Sequence, residues 1–277
     1  MRRILMPVLL GAAVPLLALA APPAAAQQPT AAVLADSVQR QATAAFLRND
    51  ANGVRAARML AERGQALYPN DALLLHQLGY ALYREALLVT SSGPADQRSA
   101  QDRQALKELL TRAQRTLEQS AGIRALPETY ALLSAVFGQQ AGNARGVAAM
   151  RPGMRAGQEM ERALEAGAEN PRVWLLRGTN ALYTPAMWGG GADKAQQYLE
   201  RAIQFFERDA ARSPLPTWGH AEAYAWLGNI YSRKRDFDRA RTAYNAALRL
   251  EPQYGWVRTV LLPRLDRSVA APNGSGN

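Results

Sequence analysis

Apolar residues recur at helical spacing near the end of the chain. Between Ala221 and Pro252 they stand three or four positions apart, at Tyr224, Leu227 and Tyr231, then at Ala240, Tyr244 and Ala247. This spacing places each group on one face of a helix, so the stretch predicts two amphipathic helices. Proline cannot continue a helix, so Pro252 ends the second one. No segment alternates with the period of two that strands require, and we expect an all-α protein.

The same register can be traced upstream, which indicates an internal repeat. A first repeat contains Ala57 and Pro69, and three further repeats begin at Ala72, near Pro127 and at Pro171. The phase is kept between them, because the spacing from one repeat to the next fits a period of about 34 residues once insertions are removed. About five helix pairs are therefore predicted, covering residues 31–252.

With Ala221 as position 1, the last repeat resembles the tetratricopeptide repeat (TPR) at all its signature positions. Small residues stand at positions 8 and 20, which are Gly228 and Ala240, and larger apolar residues stand around them. The small residues let two helices approach closely, and the larger ones fill the gaps. The resemblance implies a TPR-type α-solenoid over residues 27–266, closed by a capping helix at 254–266. The small, polar residues 267–277 are predicted to form a disordered tail.

Three repeats depart from the pattern between their two helices. The connections Leu82–Ala113, Phe137–Ala156 and Ala181–Ala195 are longer than Tyr231–Ala240 in the last repeat. Equivalent connections of a solenoid lie along one edge, so these insertions are expected to cluster and could build a binding face. The alternative is that they are tolerated loops and lengthened helices. A further excess, "AARSPLPTWGH", follows the fourth pair and is expected to loosen the packing before the fifth.

Composition narrows the chemistry. The 277 residues include no cysteine and two histidines, which excludes a disulfide framework and disfavours a metal site. The net charge is +10, but the basic residues are dispersed among acids rather than gathered in a patch. Dispersed charge is typical of a solvated surface, so no nucleic-acid partner is expected. We expect neither a cofactor nor a bound metal.

The N-terminus has the pattern of a secretory signal. Met1-Arg2-Arg3 precedes an apolar run over residues 4–21, and Ala24 and Ala26 form a small-residue cleavage site. We predict a signal peptide at 1–26 and a periplasmic or secreted protein without an integral membrane segment after cleavage. The alternative is an uncleaved anchor. No cysteine follows the site, so a lipoprotein anchor is excluded.

The TPR resemblance implies that the first helix of each pair lines a concave surface. Transferred onto this sequence, and with Trp188 added from the fourth repeat's insertion, the candidate binding residues are His76, Tyr80, Tyr83, Arg84, Tyr183, Trp188, Asn229 and Arg233. Their aromatic and basic character suits an extended peptide or an anionic terminus. The alternative for Tyr80 and Tyr83 is packing between repeats, and for His76 a buried position with one hydrogen bond.

No residue pattern predicts an enzyme. The segment "TPAMWGGGADKA" has three glycines, but a helix precedes it and Ala195 follows Lys194, unlike a phosphate-binding loop. Glu161 and Glu165 share a helix face, as solvated carboxylates usually do. We therefore expect an exported scaffold that mediates protein–protein or peptide binding in the bacterial cell envelope. The alternative is a periplasmic ligand-binding accessory protein similar to those associated with TRAP-type transporters. An open groove would favour the first, and an enclosed pocket lined by the candidate aromatic residues would favour the second.

Overall fold

The computed structural model describes residues 28–90 and 97–270, and in these ranges it contains eleven α-helices and no strand. Ten of the helices form five consecutive antiparallel pairs. The pairs are α1 (Ala31–Leu47) with α2 (Ala51–Leu67), α3 (Ala72–Thr90) with α4 (Ala100–Ile123), α5 (Pro127–Gly142) with α6 (Val147–Ala166), α7 (Pro171–Tyr183) with α8 (Ala192–Phe206), and α9 (His220–Arg233) with α10 (Phe237–Leu250). The predicted all-α solenoid of five helix pairs is confirmed.

The capping element follows α10. A π-helical stretch over Trp256–Leu261 continues into α11 (Leu262–Ala270), and its side chains Val257, Leu261 and Leu265 are buried. Because α11 extends to Ala270, the predicted tail boundary at residue 267 is wrong and lies inside this helix. The signal peptide predicted at 1–26 and the remaining tail at 271–277 lie outside the described residues. None of the described helices combines the length and apolar content that a membrane-spanning segment needs.

Local sequence signals explain where the helices begin. Asp50 and Ser99 cap α2 and α4 by accepting backbone N–H groups at 2.9 Å and 3.0 Å, which satisfies donors that the first turn leaves free. Pro127 and Pro171 occupy the first turn of α5 and α7, where the missing N–H costs nothing. The repeat starts predicted at these two prolines are thus helix starts.

The position-8 glycines bring the two helices of a pair together. A Cβ on Gly79 would lie 2.5 Å from Leu117, one on Gly178 would lie 2.7 Å from Leu199, and one on Gly228 would lie 2.5 Å from Tyr244. In each case the neighbour stands at position 24 of the same repeat. In the third pair the equivalent residue is Ser134, whose hydroxyl donates to the carbonyl of Ala156 at 2.7 Å. The spacing that identified the repeat therefore corresponds to a physical contact.

The insertions mainly lengthen helices. In the second pair α3 continues to Thr90 and α4 begins at Ala100, and in the third pair α6 begins at Val147. The insertions of the second and third pairs meet, because Arg98 donates to the Asn143 side-chain oxygen at 2.6 Å. We call the side of the solenoid that carries these connections the insertion edge.

Candidate functional site

The concave side of the solenoid is filled by the chain itself. Residues 209–219, which follow the turn after α8 and lead to α9, cross this side, and we call them the connecting segment. Its Trp218 stacks on Tyr80 with ring centroids 5.1 Å apart and is 3% exposed. The expectation that this excess loosens the packing is wrong, since a large aromatic side chain buried here contributes strongly to the core.

Hydrogen bonds attach the connecting segment to the first helix. The side-chain amide of Gln39 donates to the Thr217 hydroxyl at 3.2 Å, and the Thr217 backbone N–H donates to the side-chain Oε1 of Gln39 at 3.0 Å. Ser213 donates to a carboxylate oxygen of Asp36, one turn earlier on α1. The turn after α1 also approaches the start of the capping element, since a Cβ on Gly255 would lie 2.9 Å from the Asn49 side chain. The solenoid is thereby closed across its concave side.

A buried ion pair lies at the centre of this closure. Arg84 on α3 donates to both carboxylate oxygens of Glu222 on α9, at 2.5 Å and 2.6 Å. Its guanidinium also lies over the rings of Phe46, Tyr80 and Trp218, at 4.3 Å, 4.7 Å and 5.2 Å. Burial opposes the charged form, but the attraction of Glu222 outweighs it and raises the pKa of Arg84. The guanidinium of Arg84 is therefore charged, and two of its nitrogens bond Glu222, whereas its Nε has no hydrogen-bond partner among the described residues.

His76 and Tyr83 also belong to the interior. His76 is 0% exposed, and its Nδ1 lies 2.9 Å from the Thr129 hydroxyl. Burial, assisted by the positive charge of Arg172, lowers the pKa of His76 to about 3, so the ring is neutral at physiological pH. Burial raises the pKa of Tyr83. The packing alternatives stated for His76, Tyr80 and Tyr83 describe what the structure contains.

The eight candidate residues thus divide into two groups. His76, Tyr80, Tyr83, Arg84 and Asn229 are buried, whereas Tyr183, Trp188 and Arg233 are exposed. Trp218 occupies the space that an open groove or an enclosed ligand pocket at Tyr80 would need. Whether the exposed three contact a partner stays a prediction.

The glycine-rich turn presents two large apolar side chains to solvent. Met187 is 85% exposed and Trp188 is 74% exposed. The turn beneath them is well defined, since the N–H of Gly191 donates to the carbonyl of Ala181 at 2.8 Å. Gly189 has φ +81°, a left-handed conformation that favours glycine. Trp188 therefore projects outward from a fixed turn on the insertion edge.

A second apolar strip stands on the same insertion edge and was missed in the sequence. Val147, Met150 and Met154 are 84%, 61% and 65% exposed at the start of α6. Their spacing of three and four residues was the available signal, because it places them on one helix face. Tyr183 is also exposed and contacts Trp226 edge to face at 6.1 Å, and Trp226 in turn lies 4.8 Å from Trp256. Exposed apolar area is thus concentrated where the insertions lie.

Among the described residues, neither metal ligands nor cavities indicate a binding site at the candidate aromatic residues. Within residues 28–90 and 97–270, no three histidine, aspartate or glutamate side chains come close enough to hold a metal ion. A shallow depression of about 520 Å³ lies beside Lys234 and Phe237, away from the candidate aromatic residues. The described surface is therefore better suited to contact with a macromolecule than to the enclosure of a small ligand.

Comparisons with known proteins agree with the repeat register. The family model described as tetratricopeptide repeat matches residues 221–254. TTC0263, described as a thermophilic TPR protein in Thermus thermophilus, is similar with a TM-score of 0.57 at 16% identity, over 86% of this chain and 100% of that chain. The HusA haemophore from Porphyromonas gingivalis has a TM-score of 0.56 at 22% identity, over 74% of this chain and 96% of that chain.

A third solved structure, the APC/C heterotetramer Cut9–Hcn1, has a TM-score of 0.52 at 15% identity, over 86% of this chain and 42% of that chain. At these identities the likeness concerns the fold alone. A comparison with curated protein sequences returned no match.

Proposed function

We propose, from the premise that this chain is a tetratricopeptide-repeat protein, that it is an exported scaffold which binds a protein partner through its insertion edge. The TPR fold itself suggests a protein–protein interaction scaffold, because solenoids offer extended surfaces to extended partners. In this chain the concave side is occupied by Trp218 and the connecting segment. Partner binding is therefore assigned to the outer edge.

The observation that carries the proposal is the exposure of Trp188 and Met187 on a hydrogen-bonded turn. Tryptophan dominates the energetics of many protein interfaces, since it buries a large area at little conformational cost. A side chain that is already held outward loses little entropy on binding. Val147, Met150 and Met154 extend the apolar character of the same edge.

Export rests on the N-terminal pattern alone. We assign the protein to the periplasm or the secreted fraction, with cleavage after Ala26. N-terminal sequencing of the protein recovered from an expressing Gram-negative host tests this assignment. A chain that begins at Gln27 in the periplasmic fraction supports it, and a chain that keeps Met1 in the membrane fraction contradicts it.

Affinity capture from an envelope extract tests the binding edge. We expect the unaltered protein to recover a partner and the double variant Met187→Ala/Trp188→Ala to lose it. The matched control is Met59→Ala/Leu67→Ala, which removes two apolar side chains that are 51% and 49% exposed on α2. Equal recovery by both variants would refute the assignment. No captured protein, together with a thermal shift from a small-molecule panel, would favour the alternative of a periplasmic ligand-binding accessory protein.

A further inference from the structure

Arginine and aromatic side chains alternate along one surface of the fourth helix pair. Arg177 lies over the rings of Tyr198 and Trp174, at 4.4 Å and 5.1 Å. Arg201 lies over Trp174 at 4.4 Å and over Phe205 at 5.5 Å, and Arg208 lies over Phe205 at 5.6 Å. We call these six residues of α7, α8 and the turn after α8 the arginine–aromatic ladder.

The three ladder arginines lack an acidic partner. Among the described residues, no carboxylate oxygen lies within 4.0 Å of Arg177, Arg201 or Arg208. By contrast, Arg172 on the same helix pair is joined to Asp209 at 2.6 Å. Three positive charges on shared rings repel one another, and an anion placed beside them would relieve that repulsion.

The arginines also retain free hydrogen-bond donors. The guanidinium groups of Arg177 and Arg201 make no hydrogen bond within the described part of the chain, and that of Arg208 makes one long bond of 3.4 Å to the carbonyl of Gln204. A guanidinium that stacks on a ring by its face keeps its N–H donors at its edge. These edges match the two oxygens of a carboxylate, which they can bind with two parallel hydrogen bonds.

The ladder is built on fixed rings. The indole N–H of Trp174 donates to the carbonyl of Ala168 at 2.7 Å, and Trp174 and Phe205 are only 7% and 8% exposed. Because the rings are held by the core, the stacked guanidiniums are positioned before any ligand arrives. Such preorganisation lowers the entropy cost of binding.

The ladder arginines are accessible to a ligand. Arg201 and Arg208 are exposed, and Arg177 is half-buried. Because the rings cover a face of each guanidinium, the N–H groups at its edge remain available to a ligand.

We propose that the arginine–aromatic ladder binds an acidic, extended segment of a protein partner, with its arginines holding the carboxylates. Arg201 and Arg208 stand two helical turns apart, which is roughly 10 Å along the axis. An extended chain covers about the same distance in three residues, so acidic side chains at every third position match the ladder.

The ladder is separate from the insertion-edge site at Met187 and Trp188, because its six residues lie on α7, on α8 and in the turn after α8. The two proposals can therefore fail independently. The variant Met187→Ala/Trp188→Ala should leave binding to the ladder unchanged.

Fluorescence anisotropy with a labelled synthetic peptide that carries glutamate at every third position tests the proposal. We expect saturable binding to the purified protein that weakens as salt is added, and no binding of the same peptide with glutamine in place of glutamate. The variant Arg177→Gln/Arg201→Gln should weaken binding by at least about tenfold, because two charge-assisted pairs are lost. The variant Arg177→Lys/Arg201→Lys keeps both charges and should also weaken it, since lysine cannot pair bidentately.

A charge-matched control separates a site from general attraction to a basic protein. Arg63→Gln/Arg115→Gln removes the same charge at two exposed arginines on other helices, and it should leave peptide affinity unchanged. The proposal is overturned if this control weakens binding as much as the ladder variant does, or if the glutamine peptide binds equally well. Preferential displacement of the peptide by duplex DNA or by phosphatidylglycerol vesicles would overturn the peptide assignment in favour of a phosphate ligand.

Discussion

At the scale of single residues, His76 shows the consequence of burying a titratable group among repeats. Its ring is fully buried, Nδ1 bonds Thr129, and Nε2 has no hydrogen-bond partner among the described residues. Protonation would place a second charge near Arg172 without access to water. Burial and this repulsion explain why the pKa of His76 falls from 6.5 to about 3.

The lowered pKa of His76 predicts a specific loss of stability in acid. Between pH 6.5 and about 3 the unfolded chain binds a proton that the folded chain does not, so acidification favours unfolding. The contribution of this group to the unfolding free energy should fall by up to about 1.4 kcal/mol per pH unit across that window. Urea unfolding of the unaltered protein and of His76→Gln, followed against pH, measures it. Parallel pH profiles for the two proteins would contradict the prediction.

At the scale of helices, the spacing of a pair depends on glycine at position 8. Gly228 on α9 faces the ring of Tyr244 on α10, where an added Cβ would come within 2.5 Å of a ring carbon. Neither partner can move freely, because Tyr244 is itself 1% exposed within the core. The close contact between the two helices therefore depends both on the glycine and on the large side chain that fills the space beside it.

Alanine substitutions at two glycines distinguish the effect of packing on stability from the effect of helix propensity. We expect Gly228→Ala to lower the unfolding free energy by about 2 kcal/mol through overpacking. The control is Gly157→Ala on α6, where nothing lies within 4 Å, and it should raise stability by roughly 0.5–1 kcal/mol. Thermal or urea unfolding of both variants provides the measurement. Stabilisation by both would mean that Gly228 is not a packing residue.

At the scale of the whole molecule, the repeats could be predicted from sequence and the closure could not. Position-specific residue types such as Gly228 and Ala240 repeat with a fixed period, so neighbouring contacts can be inferred from one window. Trp218 and Tyr80 are 138 residues apart, as are Arg84 and Glu222, and no periodicity relates them. The burial of most candidate residues could not be predicted for the same reason, because a residue on the concave side becomes a core residue once the connecting segment covers it.

Trp188 is a candidate residue that the closure leaves exposed. Trp188 belongs to an insertion between two helices of one pair, so its position on the edge follows from the repeat register alone. Whether its side chain packs or projects depends on the turn, where the N–H of Gly191 bonds Ala181. Sequence could place the residue but could not assign its exposure.

The ion pair between Arg84 and Glu222 should couple the two ends of the solenoid. Glu222→Gln leaves a buried guanidinium without its counter-charge, and we expect it to lower the unfolding free energy by about 3 kcal/mol. The control is Asp266→Asn, which breaks an exposed ion pair. The side chains of Arg241 and Asp266 in this pair are 45% and 59% exposed. That change should cost less than about 1 kcal/mol, because solvent already screens the pair. Urea unfolding measures both variants.

Hydrogen exchange then tests whether the closure acts as one unit. Trp218 and Arg84 contact Tyr80 and Phe46, and the connecting segment bonds Gln39 on α1. Loss of the Glu222 carboxylate should therefore accelerate amide exchange in α1 as well as in α9, although the two helices are far apart in sequence. If exchange in Glu222→Gln accelerates only in α9, the ends of the solenoid are held independently and the ion pair is a local contact.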